Sequence, residues 1–489
     1  MAAVDVTPIS STLKSIRDKK MQRLLPMALW FGLVAESANA HGLGQRYDLP
    51  IPLSLYLLGA GLAVAASFAF VTLFRRSARP SVRRVRLCGR VRPALTRIVE
   101  VIAFAAFALV LSAGLFGQAS TFKNIAPVAL WVIWWVGFTF VCAFAGNLWP
   151  LVSPVAILVR WAGMLWRNLA KAGVPRRLPY PERLGAWPAV FLFLLFAWLE
   201  LVAPHRDSPR NIAYGILLYC ALGGVSSFVF GFRTWQRSID PFAVAFRLFG
   251  KFAPLCLAHH HNRWRWCLQP YGFGLLSTRQ VPPSITAFTL VLLSTVTVDG
   301  LLETPAWSAI SEPVITRFPN SSLATLVPPT ILLIIAPLIF AATYGTVIFT
   351  MSLLTHAPNN SRFFLTPRFI YSLIPIAIAY HLAHYLSFLL TAGQLTIPLA
   401  SDPYGVGWDL FGTTLYRLNI GIVDARFVWI SAVTAIVIGH IVATWVAHET
   451  AVEIFQSPLQ IRRSQLPMVV LMIAYTMTSL WILAQPIVN

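Results

Sequence analysis

Two histidines lie three residues apart within a long apolar run of the sequence, at His381 and His384. A spacing of three places both imidazoles on one side of a helix, one turn apart, as a pair of metal ligands requires. A third histidine, His440, lies in the next apolar run. Because an ionisable group inside a membrane helix is costly, such residues predict a functional site. We therefore expect His381, His384 and His440 to bind a metal ion.

Two carboxylates, Asp299 and Glu200, lie near the ends of other apolar runs. At 1.5 Å per helical residue, Asp299 lies about 24 Å and His384 about 21 Å from the starts of their runs, so the two share a level. Glu200 lies at a similar height. Three or four such ligands with one open position suit a divalent ion, zinc or copper, which activates bound water. We predict Asp299 as a metal ligand and catalytic group, and Glu200 as a catalytic group.

The first 40 residues have the pattern of a secretory signal peptide. A basic segment from Lys14 to Arg23 precedes the apolar run from Leu24 to Ala35, and Ala38-Asn39-Ala40 fits a cleavage site. Cleavage would leave His41 at the amino terminus, where its α-amino group and imidazole could chelate one ion, as in copper sites. We predict a signal peptide over residues 1–40 and a metal-binding role for His41. The alternative is an uncleaved interfacial helix.

The composition requires most of the chain to lie in lipid. Its 489 residues are 57% hydrophobic and only 11% charged, and the mean hydropathy is +0.69. Soluble domains are about half apolar and one quarter charged. The sequence predicts an all-α polytopic membrane bundle, formed by residues 41–489 as a single domain. The ten runs long enough to span about 30 Å of hydrocarbon are 52–74, 98–118, 126–146, 186–203, 212–232, 284–302, 326–354, 370–390, 427–446 and 467–488.

The net charge of +21 is explained by the connections between these runs. Most Lys and Arg residues lie after runs one, three, five, seven and nine, which places those connections in the cytoplasm by the positive-inside rule. A nucleic-acid binder would instead gather its basic residues on a polar domain, which this chain lacks. We therefore predict a bacterial inner-membrane protein, with no nucleic-acid partner and with both mature termini in the periplasm.

Several features have a plainer interpretation that the sequence leaves open. His381 and His384 could be neutral imidazoles hydrogen-bonded between helices. The five cysteines lie in predicted helices or on the cytoplasmic side without a paired motif, so no disulfide framework is expected. The partly apolar segments 148–164 and 241–257 are too interrupted to be spans, and we predict that they are interfacial or re-entrant.

The chain resembles a family of bacterial integral membrane proteins known as fenitrothion hydrolases, which cleave organophosphorus esters. The resemblance covers nearly the whole mature chain. The stretches that carry it are His41-Gly42-Leu43-Gly44, Asp48-Leu49-Pro50-Ile51-Pro52, Asp299-Gly300, Thr304-Pro305-Ala306-Trp307, His381 to Tyr385, Ser401-Asp402-Pro403, Gly407 to Gly412, Gly439-His440 and Ala447-His448-Glu449. It implies a membrane-bound hydrolase of phosphotriesters or thiophosphate esters.

Three functions are compatible with these residues. The leading hypothesis is a metal-dependent hydrolase with a periplasm-facing site, which a lipophilic ester could reach through the bilayer. The second is a transporter or metal-handling permease, and the third is a structural subunit of a membrane complex. A transporter needs polar groups leading to both faces, whereas an outward hydrolase needs one approach. The expected partners are membrane lipid and a lipophilic small molecule, with homo- or hetero-oligomers left open.

Overall fold

The computed structural model describes residues 40–42, 45–47, 51–74, 87–169, 177–260, 263–276, 281–356 and 361–485. Residues 1–40, for which a signal peptide is predicted, lie almost entirely outside these ranges. The side chain of His41 also lies outside the described part of the chain. Within them the chain is an all-α bundle with two small sheets. This architecture confirms the predicted all-α membrane bundle.

Fourteen helices of seven or more residues organise the described part of the chain. They are α1 Leu53–Phe74, α2 Pro93–Phe116, α3 Ile125–Phe144, α4 Pro154–Leu169, α5 Trp187–Leu201, α6 Pro209–Val229, α7 Pro241–Phe249, α8 Pro283–Leu302, α9 Pro305–Arg317, α10 Ser322–Leu354, α11 Ser361–Phe369, α12 Ile374–Ala392, α13 Ala425–Ile454 and α14 Pro458–Ala484. Shorter turns lie at Trp149–Val152, Glu182–Leu184, Phe232–Thr234, Trp235–Ile239, Phe273–Leu275, Ile370–Leu373, Gly393–Leu395, Thr396–Ser401 and Ile420–Ile422.

Within the described ranges, nine helices are long and apolar enough to cross a membrane: α1, α2, α3, α6, α8, α10, α12, α13 and α14. The remaining predicted span corresponds to α5, which has 15 residues and is about 22 Å long. The chain is thus a multi-pass membrane protein. Large apolar side chains are exposed on the outer helices, as a lipid-facing surface requires.

Two helices occupy the centre of the bundle. In the most apolar 18-residue stretch of α8, 72% of the residues are buried, compared with 17% in the corresponding stretches of α1 and α2. α12 packs against α13, α3 and α8. Gly439 of α13 has no β-carbon, and one placed there would overlap Ala379 and the carbonyl of Pro375 on the α12 side. The absence of this atom lets α12 and α13 approach closely. Small residues permit this kind of contact between membrane helices. α12 also packs against α8, so side chains of these two helices meet.

The segments predicted to be interfacial or re-entrant fold as α4 and α7. α7 is buried along nearly its whole length and packs against α5 and α3. Its amino terminus is capped by Asp240, whose carboxylate accepts hydrogen bonds from the backbone amides of Phe242 and Ala243. α7 is thus a short helix buried among longer ones.

Two small sheets complete the fold. β1 Ala40–Gly42 pairs with β2 Gln45–Tyr47, and this hairpin lies against α13 and α14. β3 Leu87–Arg90, β5 Arg263–Leu268 and β4 Leu255–His260 form an antiparallel sheet in the order β3-β5-β4. We call the end of the bundle that carries this second sheet the sheet end. The opposite end, where α8 and α12 terminate and α13 begins, is the pocket end.

The sheet corrects the expectation that the chain forms no disulfide. Cys88 and Cys267 lie opposite each other on β3 and β5, and their sulfurs are bonded. They are 179 residues apart in sequence. Because only the pairing of two distant strands brings them together, cysteine spacing could not indicate this bond.

Candidate metal centre

Two carboxylates lie at the carboxyl end of α8, Asp299 in its last turn and Glu303 directly after its last residue. Asp299 and Glu303 are four residues apart, so their side chains lie on the same face of the helix end. His384 of α12 lies opposite them. One ligand atom from each of the three side chains lies within 4.8 Å of the other two. Among the described residues this is the one group of His, Cys, Asp and Glu that meets such a test.

Hydrogen bonds hold this group together. His384 Nε2 lies 3.0 Å from Asp299 Oδ2. The hydroxyl of Tyr385 donates to the same oxygen. Two ligand atoms on one tetrahedral zinc ion, each bound at about 2.0–2.1 Å, are about 3.3 Å apart. A zinc ion that replaced the proton between His384 and Asp299 could therefore contact both side chains. Tyr385 fixes the orientation of the carboxylate, as outer-sphere partners of metal ligands do.

A glycine makes this contact between α8 and α12 possible. A β-carbon at Gly300 would lie 2.9 Å from the hydroxyl of Tyr380 and 3.0 Å from Ile482. At these separations a neighbouring atom would have to shift, and Tyr380 is fully buried. Gly300 therefore lets α8 come near enough to α12 for Asp299 to reach His384.

The group lies on the wall of a cavity of about 580 Å³ at the pocket end. Asp299, Glu303, His384 and Tyr385 all contribute to its lining. The other walls are largely apolar and include Val128, Trp131, Val132, Phe388, Val428 and Trp429. A volume and lining of this kind suit a largely apolar small molecule with a few polar contacts.

Glu200 reaches the same cavity from α5. Its carboxylate interacts electrostatically with Asp299 and lies near the indole of Trp135. Arg206 also lines the cavity, and its guanidinium donates to the backbone carbonyls of Glu200 at 2.9 Å and Leu201 at 3.2 Å. The structure therefore brings Glu200 to the site as a separate carboxylate, outside the three-residue group.

His381 does not join the group, although it lies one turn before His384. It is 1% exposed, and its neighbours are the rings of Trp135, Phe140, Phe249 and Tyr385. Neither ring nitrogen has a hydrogen-bond partner among the described residues. Because a step of three residues turns a helix by about 300°, the two imidazoles diverge enough to face different helices.

His440 also lies away from the group. Its Nδ1 is 2.8 Å from the carbonyl oxygen of Ile436, and its ring packs beside Tyr475 at 6.0 Å between centroids. α13 therefore presents His440 to α14. The metal-binding role predicted for His41 concerns a side chain outside the described residues. Its backbone lies in β1, which contacts α13 and α14, and residues of both helices line the cavity.

Glu303 and Tyr385 are not among the site residues that the sequence predicts. A signal for Glu303 was present, because Asp299 and Glu303 have the four-residue spacing that aligns two side chains on a helix. Tyr385 has no comparable signal, since its role depends on the position of α8. No family model, curated protein or solved structure matches the chain.

Proposed function

We propose that this protein is a membrane-bound, metal-dependent hydrolase of organophosphorus esters, such as phosphotriesters and thiophosphate esters. The observation that carries the proposal is the group formed by Asp299, Glu303 and His384 on the wall of a mainly apolar cavity. Three protein ligands with an open position are the arrangement of catalytic zinc sites. The resemblance to fenitrothion hydrolases supports the choice of ester.

The donor set fits a borderline divalent ion. One imidazole and two carboxylates suit Zn²⁺, whereas the cuprous ion prefers sulfur ligands. Such an ion would polarise the phosphoryl group and lower the pKa of bound water. Asp299, Glu303 and His384 would hold it, and Tyr385 would orient Asp299.

Hydrolysis needs a base as well as an ion. The oxygen of water bonds to phosphorus, the P–O bond to the leaving group breaks, and the water loses a proton. Glu200 and Asp207 both line the cavity outside the ligand group. Glu200 interacts electrostatically with Asp299, and we assign it the role of accepting that proton. The leaving group departs as an oxyanion, with Arg206 on the cavity wall to offset its charge.

The same elements support a proposal for the orientation of the chain. We propose an inner-membrane protein with ten spans, a cleaved signal peptide and the pocket end in the periplasm. β3 follows α1 and β5 precedes α8, and the two strands pair, so both connections lie on one side of the membrane. An even number of crossings must separate them, which α2, α3, α5 and α6 provide when the short α5 also crosses. Positive-inside counting assigns that side to the cytoplasm.

The test of this function uses the purified full chain in detergent. We expect the protein to retain about one zinc per chain and to release nitrophenol from a chromogenic phosphotriester. Glu303→Gln should lose both properties, because the ion loses one of three ligands. Glu312→Gln is the matched control, since Glu312 is an exposed acid on the neighbouring helix α9. If Glu303→Gln keeps its zinc and its turnover, the proposed centre is wrong.

One observation favours transport as a second candidate function. α13 presents His440, Thr444 and His448 at four-residue spacing, and all three are buried. Tyr475 links this row to α8, because its hydroxyl lies 2.6 Å from Thr297 Oγ1 and its ring lies beside His440. His448 Nδ1 is 3.2 Å from Gln465 Oε1. Buried polar groups thus lead from the metal centre towards the sheet end.

Proteoliposomes separate the two functions. A zinc-sensitive dye inside the vesicles reports zinc uptake. If the chain is a hydrolase, uptake into vesicles that contain the protein should equal leakage into empty vesicles. Transport would be favoured if the protein takes up zinc faster than the leakage rate, and if His440→Phe loses this uptake while its ester hydrolysis is unchanged. We expect the first result, because the cavity that holds the proposed metal centre lies at the pocket end.

A further inference from the structure

Three cysteines form one row across the sheet at the sheet end. Cys267 of β5 lies opposite Cys88 of β3 on one side and opposite Cys256 of β4 on the other. Residues directly opposite in an antiparallel sheet point to the same face, with their β-carbons about 4.5–5.5 Å apart. Cys267 therefore has a cysteine neighbour on each side, and the structure bonds it to Cys88.

The face that carries the cysteines is the exposed one. Arg90 and Arg265 lie opposite each other two residues further along their strands, so they share this face and both are exposed. Cys88 is also exposed. The other face carries Trp264, which is 7% exposed, and packs towards the bundle. Neighbouring cations favour the thiolate form of cysteine, which is the reactive form.

Access to the row is open from the edge strand as well. A cavity of about 300 Å³ reaches Cys256, with Arg247, Lys251 and Gln269 on its wall. It is separate from the cavity that holds the metal centre. A partner thiol could thus approach Cys88 from the open face or Cys256 from this cavity.

We propose that Cys88, Cys267 and Cys256 form a thiol–disulfide exchange site that reacts with dithiol proteins of the cytoplasm. The orientation proposed above places the sheet in that compartment, where disulfides are usually transient and catalytic or redox-sensing. This site is independent of the proposed hydrolysis, since it lies at the other end of the bundle.

The exchange step conserves atoms and electrons. The thiolate of Cys256 attacks the sulfur of Cys267, a Cys256–Cys267 bond forms, the Cys88–Cys267 bond breaks and Cys88 leaves as a thiolate. A cytoplasmic dithiol then reduces the site by the same kind of attack. It becomes a disulfide itself, and the two cysteines of this chain that shared the bond become thiols.

The sheet restricts which bonds can form. Neighbouring strands are about 4.8 Å apart, so Cys88 and Cys256 on the outer strands are separated by about 10 Å. A disulfide needs α-carbons within about 7 Å. Cys267 is therefore the shared partner, and a Cys88–Cys256 bond is excluded.

The test uses full-length protein in membrane vesicles, oxidised with diamide, quenched with acid and alkylated before peptide mass spectrometry. Wild type should give two linked peptides, Cys88–Cys267 and Cys256–Cys267, and no Cys88–Cys256 peptide. Cys88→Ser should move the disulfide entirely to Cys256–Cys267, and Cys256→Ser should leave only Cys88–Cys267. Cys220→Ser, a cysteine of α6, is the control and should match wild type. A dithiol reductant should return all three cysteines to thiols.

Three results would overturn the proposal. The first is a Cys267 that stays a thiol after oxidation of Cys88→Ser. The second is a dominant Cys88–Cys256 peptide. The third is a reduced wild-type protein that holds a second equivalent of zinc which Cys88→Ser loses, because the row would then be a thiolate metal site.

Discussion

Two histidines one turn apart on α12 have opposite surroundings. His384 lies beside Asp299 and Tyr385 on the wall of the large cavity, and its side chain is 9% exposed. His381 is enclosed by aromatic rings of α3 and α7, and its ring nitrogens have no hydrogen-bond partner among the described residues. The residue type and the host helix are the same. The helix that each imidazole faces therefore decides its chemistry.

This difference shows the limit of spacing as a predictor of metal sites. A pair at three-residue spacing can bind one ion only when the neighbouring helices leave both side chains free to converge on it. Here the carboxylates of α8 approach from the side of His384, and bulky rings of α3 and α7 fill the side of His381. Each substitution below tests one side of this contrast.

The largest effect is expected for His384→Ala. The substitution removes the imidazole, one of three protein ligands. Zinc affinity should therefore fall by more than the 10–100-fold typical of changes to outer-sphere partners. Ester hydrolysis should fall to the background rate. Zinc content of the purified variant and release of nitrophenol measure both effects.

A matched histidine provides the control for this variant. His356 lies at the end of α10, is exposed and has a positive φ of 50°, which asparagine adopts readily. His356→Asn should keep its zinc and its activity. An equal loss of zinc in His384→Ala and His356→Asn would mean that the effect is general damage to the fold.

A smaller effect is expected for Tyr385→Phe. The substitution keeps the ring and removes the hydroxyl that donates to Asp299 Oδ2. Because the ligands themselves remain, we predict a 10–100-fold loss of zinc affinity or turnover. Zinc titration with a competing chelator gives the affinity. Wild-type affinity and turnover in this variant would remove Tyr385 from the site.

The smallest effect is expected for His381→Phe. Replacing buried nitrogens that lack partners by an apolar ring of similar shape relieves a desolvation cost, while the slightly larger ring crowds its neighbours. These effects oppose each other, so the free energy of unfolding should change by about 1 kcal/mol or less and Tm by less than about 4 °C. Zinc content should equal that of wild type. A variant that folds but loses its zinc would restore His381 as a ligand.

The positions of the long helices follow closely from the sequence. The predicted run 284–302 corresponds to α8 at Pro283–Leu302, and 427–446 falls within α13 at Ala425–Ile454. Hydropathy is a local property, and a spanning helix satisfies its own backbone hydrogen bonds, so each span can be recognised without its neighbours.

The site follows from the sequence only in part. Asp299 and His384 have the predicted level in the bundle and do meet, because depth follows from counting residues along each helix. The rotation of each helix about its axis depends on packing against its neighbours, so the sequence does not indicate that Glu303 joins Asp299 and His384 or that His381 and His440 face other helices. The β3-β5-β4 sheet and its disulfide depend on pairing across 179 residues, for which the sequence has no local signal.

Anomalous scattering from zinc-soaked crystals at the zinc edge tests the metal centre most directly. The expected result is one strong peak within about 2.2 Å of ligand atoms of Asp299, Glu303 and His384, the range of zinc bonds to oxygen and nitrogen. A peak beside His381 or His440 instead, or crystals with no zinc peak at the pocket end, would contradict it.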